Sequence, residues 1–173
     1  VHESTRVGQM GVLVDYLKDF QSEGTVVITG DFNTYSDGEV YAEITKTTDD
    51  VAKIATTADE GITYHNYGKK KDEGQGAIDF IFVSKGTKAE NYKIIDNTVK
   101  DMYPSDHFAI SSDIYLYLFS NIFSVTIEVP CAKVKIETIC DCISVGKPGK
   151  GIVLILIPRN LSGALIKISN LFN

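Results

Sequence analysis

The chain has 173 residues, enough for one domain with its own core and too few to call for two. Its 43% hydrophobic and 23% charged residues, with Tyr and Phe common and Trp absent, exclude a disordered or fibrous chain and name no function. A formal charge of −6 argues against a protein that grips nucleic acid through a broad basic face, although a metal that neutralises the reacting phosphate leaves an acidic nuclease open.

The first six residues, Val1, His2, Glu3, Ser4, Thr5 and Arg6, lack a basic stretch leading into an apolar core, so no signal peptide is expected there. A start without Met fits a chain that begins partway through a longer protein, and a processed terminus would look the same. Met10, Leu13, Val14, Leu17 and Phe20 recur at helical spacing, and the segment 7–21 reads as an amphipathic helix closed by Gly24. Residues 25–29 are short, β-branched and apolar, as a buried central strand should be. A short helix is expected around Val40 and Ile44, and a second helical turn over 50–55. Segments 62–65, 77–84, 92–96 and 108–118 read as strands. This order describes a layered α/β chain of α+β type.

Composition shifts near residue 116. Up to there the chain carries 11 Lys plus Arg against 20 Asp plus Glu, whereas the remainder carries 6 against 3. The stretch 117–173 also holds three of the four prolines and all three cysteines. Cys131, Cys140 and Cys142 are odd in number and have no His nearby, which suits neither a disulfide framework nor a zinc site. The apolar burst 151–157 is cut by Pro158 and Arg159, far short of the roughly 18 residues of a transmembrane helix. No spanning segment is expected.

Three short motifs place polar groups at or within apolar strands. Gly30-Asp31-Phe32-Asn33 follows the first strand directly. There a carboxylate and an amide can orient a water and hold a phosphate oxygen, while the same residues also read as a plain turn. In Ile78-Asp79-Phe80-Ile81-Phe82-Val83 an ionised Asp79 needs a hydrogen-bonded or cationic partner, such as a His, unless strand alternation puts it on a wet face. Tyr103-Pro104-Ser105-Asp106-His107 offers an oxygen ligand for a hard cation beside an imidazole that titrates near neutrality, and is also a turn or capping signal.

In this order and these contexts the three motifs resemble the endonuclease/exonuclease/phosphatase family, whose signatures are a GDFN after a core strand, an Asp in a strand of the form IDFIF, and a terminal SDH. The resemblance covers about residues 4–116, with Ser4, Thr5, Arg6 and Gln9 similar to the family's segment before GDFN. It implies that residues 1–116 are the C-terminal half of such a domain and 117–173 a tail of unknown structure. The implied fold is the second half of a four-layer α/β/β/α sandwich, with mostly antiparallel or mixed sheet and helices on one face. The implied activity is metal-dependent hydrolysis of a phosphoester, as nuclease, phosphodiesterase or phosphatase, using Mg²⁺ or Mn²⁺.

Carried over by residue, Asp31 orients or deprotonates the attacking water and Asn33 helps position it. His107 sits at the scissile phosphate, Asp79 accepts its other ring hydrogen, and Asp106 binds the metal, with Asp31 a lesser ligand. His65, in Thr63-Tyr64-His65, lines the substrate cleft or is a strand-surface His. Lys69, Lys70 and Lys71 touch substrate phosphates or form a solvated loop. By the same resemblance His2 would correspond to part of the family's upstream His motif.

The departure is equally plain. The family's principal metal-binding Glu, and an Asn and a His that contact phosphate, belong to a first half with no counterpart here. The resemblance therefore leaves two expectations: an incomplete hydrolase acting on nucleic acid, an inositol phosphate or a phospholipid headgroup, or an inert fragment or association module. The second would stem from a truncated or mis-assembled gene product. A missing partner sheet would leave an apolar face open to self-association, unless the tail builds a substitute layer.

Overall fold

In a computed structural model of the chain, the residues described are 2–21, 24–118, 121–129, 134–137, 144–145, 153–158 and 167–170, with side chains over 2–18 and 25–115. Cys131, Cys140 and Cys142 lie outside them. The elements are α1 (Glu3–Gln21), β1 (Gly24–Asp31), α2 (Glu39–Ile44), β2 (Thr48–Asp50), α3 (Val51–Ile54), β3 (Asp79–Ser84), β4 (Lys88–Ile95), β5 (Ala109–Leu118), β6 (Asn121–Val129), β7 (Val134–Glu137), β8 (Ser144–Val145), β9 (Val153–Pro158) and β10 (Lys167–Asn170).

The strands make two sheets, ordered β2-β3-β1-β9-β8 and β4-β5-β6-β10-β7. The described strand pairings are antiparallel except β10 with β6, and the isolated bridge between Ala58 and Tyr92 is also parallel. The fold is thus α+β with antiparallel sheets and few helices.

Alternation along β1 and β3 decides what packs where. Val26, Ile28 and Phe32 point to one face with Phe80 and Phe82, and there they bury Met10, Val14 and Leu17 of α1 and Val40 and Ile44 of α2. The i, i+4, i+7 spacing of the α1 residues puts them in one stripe. Val27, Ile81 and Val83 point to the opposite face and meet Ala89, Tyr92, Ile110 and Ile114 of the second sheet, with Val51 of α3. These two cores define three layers: helices, first sheet, second sheet.

The expected open apolar face is therefore not found on the first sheet, because β4 and β5 of the same chain cover it. The stretch after residue 116 supplies strands to both sheets by edge pairing: β6 runs beside β5 from Ile110↔Val129 to Leu118↔Asn121, and β9 beside β1 from Gly24↔Pro158 to Thr29↔Val153. No described helix lies on the outer side of the second sheet. None is long and apolar enough to cross a membrane.

Three local expectations shift. Helix α1 begins at Glu3, four residues before the apolar spacing starts, because the His2 carbonyl accepts from Thr5 and Arg6 and Glu3 pairs with Arg6. Gly24 opens β1 instead of closing the helix. Segment 62–65 is not a strand: only Tyr64 pairs, opposite His107, and the chain then turns through left-handed conformations at Asn66, Tyr67 and Gly68.

Candidate functional site

Inner-face alternation continues past the apolar residues to the end of the first sheet. After Val27 and Thr29 the next inward position of β1 is Asp31, and before Ile81 the inward position of β3 is Asp79. The antiparallel register sets them directly opposite each other. A carboxylate pair thus closes the sandwich where apolar contacts stop, and His107 enters from the segment just before β5 of the other sheet.

His107 Nδ1 lies 2.8 Å from Asp79 Oδ2, with Asp79 almost fully buried and the His107 side chain 12% exposed. An ionised Asp79 accepts only, so the neutral imidazole carries its hydrogen on Nδ1 and leaves Nε2 for chemistry. This is the partner that a carboxylate in an apolar strand requires.

Asp31 is held by its neighbour: Asn33 donates from its backbone N–H to Oδ1 and from Nδ2 to Oδ2, each at 2.9 Å. Asn33 adopts φ 51°, a left-handed conformation that Asn tolerates, and is exposed, while Phe32 between them is buried against Phe80 and Phe82. The GDFN run is therefore both a turn and a carboxylate clamp.

The charges are mutually perturbed. Burial raises the Asp31 carboxyl above its usual value, the Asn33 hydrogen bonds oppose this, and the Asp79 charge adds to it. For His107 burial disfavours the imidazolium, but the hydrogen bond and charge of Asp79, with the charges of Asp31 and Asp106, outweigh it and raise the pKa. Both shifts run upward, so each group binds its proton more tightly than it would in water, and the two sit side by side.

The loop carrying His107 is tied down at several points. Ser105 Oγ accepts from the His107 N–H at 3.1 Å. The Asp106 carbonyl accepts from His65 and Asn66, and the Thr63 carbonyl from Phe108 at 2.7 Å. Thr63 Oγ1 is buried and accepts from the N–H groups of both Ile78 and Asp79, at 3.0 and 3.1 Å. Its role was hidden in the sequence, since nothing local marks a Thr that buttresses a strand 15 residues away.

His65 is neither on a strand surface nor on an open cleft. It is 2% exposed, stacked on Phe108 at 3.9 Å between ring centroids, beside Tyr103, with Nδ1 accepting from Gly68 at 2.9 Å. Burial lowers its pKa, which suits a neutral packed ring behind the site. Lys69 and Lys71 are exposed, whereas Lys70 is half-buried and reaches Tyr35.

Among the described residues no group of three or more His, Cys, Asp or Glu side chains is arranged to hold a metal. The oxygen donors of Asp31 and Asp106 suit a hard cation bound through one or two carboxylates, with water and substrate oxygens completing its shell, rather than one caged by protein. Asp79 already serves His107.

No family model matches the chain, and no curated protein does. Among solved structures it is similar to a functionally unknown conserved protein from Enterococcus faecalis V583, with a TM-score of 0.59 and 25% identity over 66% of this chain. The match spans 45% of that protein, so this chain covers under half its length.

Proposed function

We propose that residues 1–116 are the C-terminal half of an endonuclease/exonuclease/phosphatase domain, within a four-layer sandwich, and that Asp31, Asn33, Asp79 and His107 serve metal-dependent phosphoester hydrolysis. The observation that carries this reading is the convergence of three separate motifs at one end of the sandwich, with His107 bonded to Asp79 and Asp31 facing Asp79 across the strands.

In this mechanism Asp31, its basicity raised by burial, takes a proton from the attacking water while Asn33 fixes the carboxylate and directs its remaining amide hydrogen to the phosphate. As the P–O ester bond opposite the entering water breaks and the leaving oxygen departs to take its proton from solvent, the His107 imidazolium donates from Nε2 to a phosphoryl oxygen where charge grows, and Asp79 stabilises that cation and its orientation. Mg²⁺ or Mn²⁺, held by Asp106 and Asp31, would supply charge neutralisation at the phosphate. Nucleic acid, inositol phosphates and phospholipid headgroups all present that group.

The test is cleavage of plasmid DNA and of bis-(p-nitrophenyl) phosphate by the full chain with Mg²⁺ or Mn²⁺. Turnover removed by EDTA and by His107→Ala is expected. Equal background from wild type and variant would instead leave the inert fragment or association module as the reading.

A further inference from the structure

Lys70 is the middle of three consecutive lysines, and the loop treats it differently from its neighbours. The Lys69 and Lys70 N–H groups donate to the Asn66 and His65 carbonyls at 3.1 and 2.9 Å, but only the Lys70 side chain is half-buried, while those of Lys69 and Lys71 are exposed. Lys70 Nζ donates to Tyr35 Oη at 3.2 Å and lies 5.8 Å from the centroid of the Tyr35 ring and 5.5 Å from that of Tyr64. Tyr64 pairs with His107 through the backbone, and their rings are 5.0 Å apart. Tyr35 follows Asn33 by two residues. Both rings that steer the ammonium thus belong to segments that carry the proposed site.

In a chain rich in carboxylates, no Asp or Glu among the described residues lies within ion-pair distance of Lys70. The Tyr35 phenol oxygen satisfies one ammonium hydrogen and the Tyr64 ring attracts the charge, leaving two hydrogens of this half-buried cation free for water or an anion.

We propose that Lys70, positioned by Tyr35 and Tyr64, is a substrate-binding residue that donates to a nonbridging oxygen of the phosphate presented to His107. The proposal rests on the phosphoester reading of the site and specifies which cation outside the three motifs holds the substrate.

Inorganic phosphate titrated into the full chain, followed by NMR of the His107 ring protons, tests it without turnover. Wild type should show a saturable shift. Lys70→Met should weaken phosphate binding about tenfold, the scale of one charged hydrogen bond, Lys69→Met by less than about twofold as for an exposed charge, and Lys70→Arg should retain most of it. No saturable shift in wild type, or equal loss in Lys69→Met and Lys70→Met, overturns the proposal. The two readings fail separately. Phosphate binding that depends on Lys70 without metal-dependent turnover sinks the hydrolase and keeps the anion site; turnover with phosphate affinity unchanged in Lys70→Met does the reverse.

Discussion

Asp79 sits buried in an apolar strand, and His107 meets it from the segment before β5, with Nδ1 2.8 Å from Oδ2. The coupling has a pH signature. Because the folded-state pKa of His107 lies above its ordinary 6.5, the folded chain keeps a proton that the unfolded chain releases between those two values. The pairing therefore stabilises fully below 6.5 and loses its contribution as pH rises through the folded value. Urea unfolding across that window should show wild-type stability falling with pH more steeply than that of His107→Gln; parallel profiles would contradict the pairing. The need for a partner at Asp79 was legible, because an acid inside five apolar residues is a local anomaly. Thr63 was not, and for His65 and Lys70 the sequence could single out the residues but not their surroundings, because these come from contacts with residues 15 to 43 positions away.

The loop between α3 and β3 does at the level of the element what the motifs do at the level of the residue. Its turn at 66–68 has φ of 49°, 54° and 77° in succession, and a Cβ at Gly68 would come 2.6 Å from a Tyr103 ring carbon. Gly68→Ala combines a left-handed backbone with that clash, each a penalty of about 1–3 kcal/mol, and it should lower stability in urea unfolding. An unchanged midpoint would mean the turn is not held as described. The same conformations explain why a strand was expected over 62–65: Ile62, Thr63 and Tyr64 have strand-forming side chains, but one residue of pairing and three left-handed residues end the extension. Helices and central strands read truly where burial follows a single period over several turns or residues, as in α1, β1 and β3.

At the scale of the molecule, the two sheets meet through residues that alternate inward, and Asp31 and Asp79 occupy the next inward positions once those apolar contacts end. That much follows from period-two patterning. What patterning could not show is that β4 and β5 fold back to cover the first sheet, or that β6 and β9 join different sheets beside β5 and β1, since pairing partners far apart in sequence leave no local trace. The claim that most needs testing is that this end of the sandwich directs water onto phosphorus. The direct measurement is hydrolysis of bis-(p-nitrophenyl) phosphate in ¹⁸O-water with Mg²⁺ or Mn²⁺, reading the mass of the phosphoryl product. One ¹⁸O per product, formed by wild type and lost with EDTA or His107→Ala, is the predicted result. Product that forms equally without metal or without His107, or no product at all, would contradict it.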